Sequence, residues 1–255
     1  TTLDIVNSTF IQPKTNGLQV ITEGTSFTSV DVTGSTFDPG SGLAAAIDLV
    51  TNASGDMDFN IVNNPMIKGK GINIVNVFAF PNSTFEGRIN NNTIVHNGGS
   101  GAGVRVVSQG NGNSKVEIKS NNITAADDYG ITTTSALGTG RLDATVTNNI
   151  VSISASGFYA IQAAAGASSS AFTNKVCVNV ANNTTTIDPL SIGNFQARAA
   201  TATHEILLQG SGPSVVANWN ANANLPLSPP AIISQSGAGV FTFGATCAIP
   251  ANPNP

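Results

Sequence analysis

The chain has 255 residues, 40% apolar and 9% charged, with a net charge of −4, a composition that can bury a core and is not that of a disordered segment. Its ten Lys and Arg residues are spread along the chain and form no patch that could neutralise a run of phosphates, so nucleic acid is not expected as a partner. No run of about 18 apolar residues occurs, so no membrane-spanning helix is expected.

The chain starts at Thr1 without an initiating methionine or a signal-like segment, and removal of an upstream segment is expected. A repeat starts almost at once. Its pattern is apolar, any, apolar, any, then a small or Asn pair, any residue, and an apolar closing residue. The copies are Leu3-Asp4-Ile5-Val6-Asn7-Ser8-Thr9-Phe10, Val30-Asp31-Val32-Thr33-Gly34-Ser35-Thr36-Phe37 and Phe59-Asn60-Ile61-Val62-Asn63-Asn64-Pro65-Met66. Gly87-Arg88-Ile89-Asn90-Asn91-Asn92-Thr93-Ile94, Val116-Glu117-Ile118-Lys119-Ser120-Asn121-Asn122-Ile123 and Ala144-Thr145-Val146-Thr147-Asn148-Asn149-Ile150-Val151 follow. The last copy, Val178-Asn179-Val180-Ala181-Asn182-Asn183-Thr184-Thr185, is degenerate. Closing positions are spaced by 27, 29, 28, 29, 28 and 34 residues.

Period-two alternation makes each copy a strand with one buried face, and a period near 28 residues without helical spacing excludes helical repeat arrays. The polar pair breaks the alternation at a fixed point. Asn tolerates left-handed backbone angles, so the pair predicts a sharp bend between two strands of one coil. Stacking would align Ser8, Ser35, Asn64, Asn92, Asn121, Asn149 and Asn183 into a turn ladder, with amides bonded from coil to coil. A further strand per coil is expected after a glycine, as in Gly17 to Ile21, Gly42 to Leu49, Gly71 to Val75, Gly103 to Val106 and Gly130 to Thr132, and at Tyr159 to Gln162. A β-sandwich would show hairpin turns every 8 to 12 residues or so, and a propeller blade needs about 40 residues. Both fit worse than a solenoid.

The Val-x-Ile-x-Asn-Asn-x-Ile coils resemble the right-handed parallel β-helix repeats of large bacterial surface and secreted proteins, over about residues 3–187. Val176 to Asn183, the leucine-containing Glu205 to Leu208, and Gly244 to Cys247 are similar to the closing region of such chains. The resemblance implies an all-β, right-handed parallel β-helix of about seven coils at the cell surface or outside it, of adhesin, autotransporter-passenger or extracellular-fibre type. It does not choose a function, since the same coils also serve polysaccharide lyases, pectinases and phage tailspikes.

The domain reading is a β-helix over 1–187, a capping or docking region over 188–249 where Pro and Ala break the period, and a flexible tail over 250–255. Cys177 and Cys247 are the only thiols and lack metal-knuckle or redox-pair spacing. A disulfide pinning the cap to the last coil is expected, with two buried free thiols as the alternative. At the other end Leu3 to Phe10 is already a complete copy, with no helix or polar cap expected before it. Leu3, Ile5 and Phe10 are the candidate assembly face, to be covered by upstream coils of a longer parent or by another copy of the chain.

Chemistry is sparse. Lyases on this fold, as the resemblance implies, cluster acids on one outward strand to hold calcium. Here that row reads Asp4, Asp31, Asn60, Arg88 and Glu117, with mixed signs, and Arg88 beside Glu117 is expected to be an exposed ion pair of little value. Asp127 and Asp128 are the only adjacent acids, fewer than the six or so oxygens calcium needs. His96 and His204 sit in unrelated parts of the repeat and are expected at the surface or in turns. No catalytic residue, cofactor or metal site is therefore expected. The best remaining ligand candidates are Arg105, Lys119, Asp127 and Asp128. The reading is a structural or adhesive rod module of roughly 34 Å, which assembles head to tail or forms part of a longer rod. A carbohydrate-binding or carbohydrate-cleaving β-helix and a phage-type trimeric receptor-binding spike are the rivals. Only two tyrosines and Trp219 are available for sugar stacking, which argues against the first rival.

Overall fold

Alternating β-branched residues in the repeat produce one strand before the polar pair and a short one after it, and the glycine-led segment adds a third. The computed structural model describes residues 1–11, 16–38, 45–69, 73–99, 101–125, 129–154, 158–166, 172–188, 192–209 and 233–251. The first coil is β1 (Thr2–Val6), β2 (Thr9–Ile11) and β3 (Leu18–Thr22). Then come β4 (Phe27–Thr33), β5 (Thr36–Asp38) and β6 (Ile47–Thr51), followed by β7 (Asp56–Val62), β8 (Met66–Gly69) and β9 (Asn73–Ala79). The fourth coil is β10 (Thr84–Asn90), β11 (Thr93–His96) and β12 (Ala102–Gln109), and the fifth is β13 (Asn113–Lys119), β14 (Asn122–Ala125) and β15 (Tyr129–Ala136). The sixth is β16 (Arg141–Thr147), β17 (Ile150–Ile153) and β18 (Tyr159–Ala165), and the seventh is β19 (Lys175–Ala181), β20 (Thr184–Ile187) and β21 (Gly193–Ala199).

Every third strand pairs in parallel, giving sheets of nine, seven and eight strands that stack as a parallel β-solenoid. No helix occurs among the described residues. Beyond the seventh coil, β22 (Glu205–Gln209) and β24 (Val240–Ala245) extend the first sheet, while β23 (Ile233–Ser236) extends the third. Two sheets therefore continue into the region after residue 188.

The polar pair divides its work between its two members. Left-handed angles fall on the first, at Asn7, Gly34, Asn63, Asn91, Ser120, Asn148 and Asn182. The second turns inward and is buried at Ser35, Asn64, Asn92, Asn121, Asn149 and Asn183. At Asn92 the Nδ2 donates to Ile61 O at 2.7 Å and to Asn121 Oδ1 at 3.0 Å. Its Oδ1 accepts from the backbone N of Asn64 at 3.0 Å and from Asn64 Nδ2 at 2.9 Å. Asn121 and Asn149 repeat these bonds, Asn64 repeats them except that its Oδ1 accepts only the backbone N of Ser35, and the chain of amides ends on Asn183. Each bend thus satisfies backbone groups that a tight corner would otherwise orphan.

Inside, the first and third sheets bury Val, Ile, Leu and Phe in rows, one residue per coil. The third copy departs from its expected phase. Phe37 and Ile94 both pair with Ile67, leaving Met66 exposed. Pro65 adds one residue after the bend, which moves the inward position from Met66 to Ile67. The glycine at the head of the fourth copy is a volume compensation. Gly87 lies beside Phe59 in the stack, and a Cβ there would meet Phe59 Cδ1, Cγ and O, each at 2.5 Å. Gly87→Val is therefore expected to lower the unfolding free energy by about 1–3 kcal/mol, the cost of overpacking, measured by urea denaturation. An unchanged midpoint would show that the Phe59 ring has room to move.

Cys177 and Cys247 form a disulfide with Cα atoms 5.4 Å apart. Cys177 points outward from β19, and the segment after β24 lies across the outer face of the first sheet, running back toward the first coil. Arg141 Nη2 donates to Thr246 O, Ala248 N donates to Asp143 Oδ1, and Arg88 Nη2 donates to Pro250 O at 3.3, 3.0 and 3.4 Å. This strap buries Asp143, whose carboxylate is forked by Arg141 Nε and Nη2 at 2.9 and 2.6 Å. Residues 252–255 of the expected tail lie outside the described residues.

Both histidines are buried, contrary to the surface expectation. His96 takes an inward position of β11 between Gly69 and Ala125, small residues that leave room for the imidazole. His204 precedes β22, and a Cβ on Gly166 would strike its ring at 2.1 Å. Small neighbours at Gly69, Ala125 and Gly166, which the repeat pattern does not encode, leave room for both rings inside.

Candidate functional site

Three surfaces carry the residues singled out from the sequence. The first is the open end at β1, β2 and β3. Leu3, Ile5 and Phe10 point along the core but are only partly buried, and Leu18 and Val20 share that condition. Phe10 stacks on Phe37 with ring centroids 4.7 Å apart and planes 4° from parallel, leaving its other face uncovered by the described residues. A shallow hollow lined by Leu3, Val20, Thr22 and Thr28 opens at this end. In the first and third sheets β1 and β3 are edge strands, and at the opposite edges lie β24 and β23. Phe241 and Phe243 of β24 are likewise partly buried against the core.

The outer face of the first sheet is the second surface. Register places Asp4, Asp31, Asn60, Arg88 and Glu117 in one row, as the repeat implies. The adjacent row is Ser29, Asp58, Glu86, Lys115 and Asp143. Burial raises the Asp58 carboxyl above the ordinary range, Glu86 and Asp56 raise it further, and Lys115 opposes them. Arg88 Nε stands 3.7 Å from Glu117 Oε1. This pair is not exposed as expected: its side chains retain 25% and 16% of their accessible surface, because the strap from Thr246 to Ala251 lies over this face. Asp143, Cys177 and Cys247 bring ligand-type atoms within 4.8 Å of one another, but both sulfurs are spent in the disulfide and offer no thiolate.

The third surface is the outer face of the third sheet. One row reads Gln19, Asp48, Asn76, Arg105, Thr132, Gln162 and Gln196. Asp48 is held by Asn16 and Gln19 on Oδ2 and by Asn76 on Oδ1, at 3.0, 2.8 and 2.8 Å. Arg105 Nη1 donates to Asn76 Oδ1 at 3.0 Å, and its guanidinium lies 5.1 Å from the Phe78 ring centroid. Burial lowers the pKa of Arg105, with Asp48 partly restoring it. Beside it runs an open groove of about 420 Å³ lined by Arg105, Tyr129, Thr132, Gln162 and Asn73. Gln162 Nε2 donates to Tyr129 Oη at 3.3 Å, and the Tyr129 ring packs edge-on against Phe158 at 5.1 Å.

Of the ligand residues named from sequence, Arg105 lies in this groove. Lys119 ends β13 on the first sheet, so the two are not neighbours. Asp127, Asp128 and Trp219 lie outside the described residues. The sequence reading missed Tyr129, Gln162 and Asn73 as companions of Arg105. Counting offsets from the opening glycine would have aligned Arg105, two after Gly103, with Thr132, two after Gly130, but the strand of Gln162 has no such glycine and no repeat signal marks Tyr129. No family model matches the chain, and no curated protein or solved structure matches it.

Proposed function

We propose that the chain is an extracellular structural and adhesive module, a stiff β-solenoid segment that joins head to tail with further copies or with adjacent coils of a longer parent. The observation that carries this reading is the matched condition of the two stack ends. Among the described residues the first and third sheets end on β1 and β3 at one end and on β24 and β23 at the other, all their pairing is parallel, and inward apolar residues stay half-covered at Leu3, Ile5 and Phe10 and at Phe241 and Phe243. A copy displaced along the axis presents β24 to β1 and β23 to β3 in the parallel sense that the sheets already use. Such a heterologous contact does not close and so propagates. A disulfide together with a Lys-poor, Asn-rich surface supports an oxidising location outside the cell.

Negative-stain microscopy of the purified chain at rising concentration should show filaments with an axial repeat of one subunit, with or without reductant. The Ile5→Glu/Phe10→Glu double variant, altered only at the half-covered end, should stay monomeric while its melting temperature moves by a few degrees. Uniform wild-type monomers would overturn self-assembly, and uniform trimers would replace it with the receptor-binding spike reading.

A further inference from the structure

The groove on the third sheet has a property that a rod does not need. Arg105 is half-buried yet touches no carboxylate among the described residues. Of its five N–H donors one is bonded, to the neutral Asn76, and the acid Asp48 lies one coil further along, already holding three amides. A guanidinium desolvated without a contacting counterion is costly, and an anion entering the groove recovers that cost. The guanidinium fork suits a carboxylate, which it can take in two parallel hydrogen bonds.

The remaining walls narrow the ligand class. Thr132, Thr134, Gln162 and Asn73 bring hydroxyl and amide groups that both donate and accept, the same duality as sugar hydroxyls. Asn73 Oδ1 is buried and has no hydrogen-bond partner among the described residues, an acceptor with capacity to spare. Tyr129, its ring fixed by Phe158 and its hydroxyl by Gln162, supplies a single flat apolar surface beside these groups. A peptide strand would seek a free sheet edge, and the edges of this sheet lie at the stack ends, away from β12 and β15. We propose that this groove binds a carboxylate-bearing saccharide unit, with Arg105 on the carboxylate, the Tyr129 ring against the sugar, and Thr132 and Gln162 on its hydroxyls.

The test is calorimetric titration of the full chain with short glucuronic acid oligomers and with their methyl esters, which keep the ring and remove the charge. Saturable binding is expected for the acid, with the ester at least roughly tenfold weaker, the scale of a charge-assisted hydrogen bond pair. Arg105→Gln should weaken acid binding by a similar factor, and Arg105→Lys should fall between. Lys119→Gln, on another sheet, should leave it unchanged. Melting curves of the variants within a few degrees of wild type would exclude a folding defect. Equal binding of acid and ester, no binding of either at millimolar concentration, or an unaffected Arg105→Gln would overturn the site. Tighter binding of an oligoglutamate peptide than of the saccharide would replace the ligand class with acidic peptide. None of these outcomes depends on filament formation, which is read by microscopy.

Discussion

Asn92→Ala should lower the unfolding free energy by about 3–5 kcal/mol. Its side chain sits between the third and fifth coils, holding Ile61 O and Asn121 Oδ1 through Nδ2 and receiving two donors from Asn64 through Oδ1. Truncation removes the amide and leaves several buried partners unpaired at once. Each orphan costs about 1–3 kcal/mol, and the amides polarise one another along the row, so the loss is not confined to one pair. Asn60→Ala is the control: Asn60 has the same chemistry but lies on the outward row of β7, and its truncation should cost less than about 0.5 kcal/mol. Ser8→Ala, at the half-exposed end of the ladder, should cost less than about 1 kcal/mol. Chemical denaturation of the three variants checks the series. Equal losses at Asn92 and Asn60 would mean that the ladder adds nothing beyond ordinary strand contacts.

Removal of the disulfide is the second large effect. The Cys177→Ala/Cys247→Ala double variant should lose about 2–4 kcal/mol of stability, since the bond closes a separation of 70 residues. It should also release the strap. The amides of Cys247 and Ala248 are held by Gln209 Oε1 and Asp143 Oδ1 at 2.9 and 3.0 Å, and once the covalent tie is cut, these part-buried bonds compete with water. Hydrogen exchange at both amides should accelerate at least tenfold while the Asn121 and Asn149 amides remain protected. Unchanged protection at Cys247 and Ala248 would assign the strap's position to its polar contacts with Arg141, Asp143 and Arg88 instead of to the disulfide.

The solenoid was legible in the sequence because its local rules repeat. Alternation in Val30 to Thr33 or Val116 to Lys119 requires a strand with one wet face, and a following residue that tolerates left-handed angles requires a bend. Recurrence near 28 residues stacks those bends, which is enough to align Ser35, Asn64, Asn92 and Asn121. The pairing of Cys177 with Cys247 was legible for a simpler reason: there are no other thiols. Where one residue was added, at Pro65, the same reading placed Met66 inward when Ile67 is the buried one, because counting from the bend assumes a constant corner.

The sequence by itself determined the strands, the bends and the coil period, since each follows from side-chain alternation and backbone preference within a few residues. Tertiary structure alone decided what lies beside what across the third sheet and over the first. Coil lengths vary from bend to third strand, so the meeting of Arg105 with Tyr129 and Gln162 depends on stacking register. The burial of Asp143 and Arg88 depends on a strap whose course is set by one covalent bond and a few hydrogen bonds far apart in the chain. Local preferences act over neighbouring residues and are written in the repeat, while desolvation of a charge depends on which distant segment covers it.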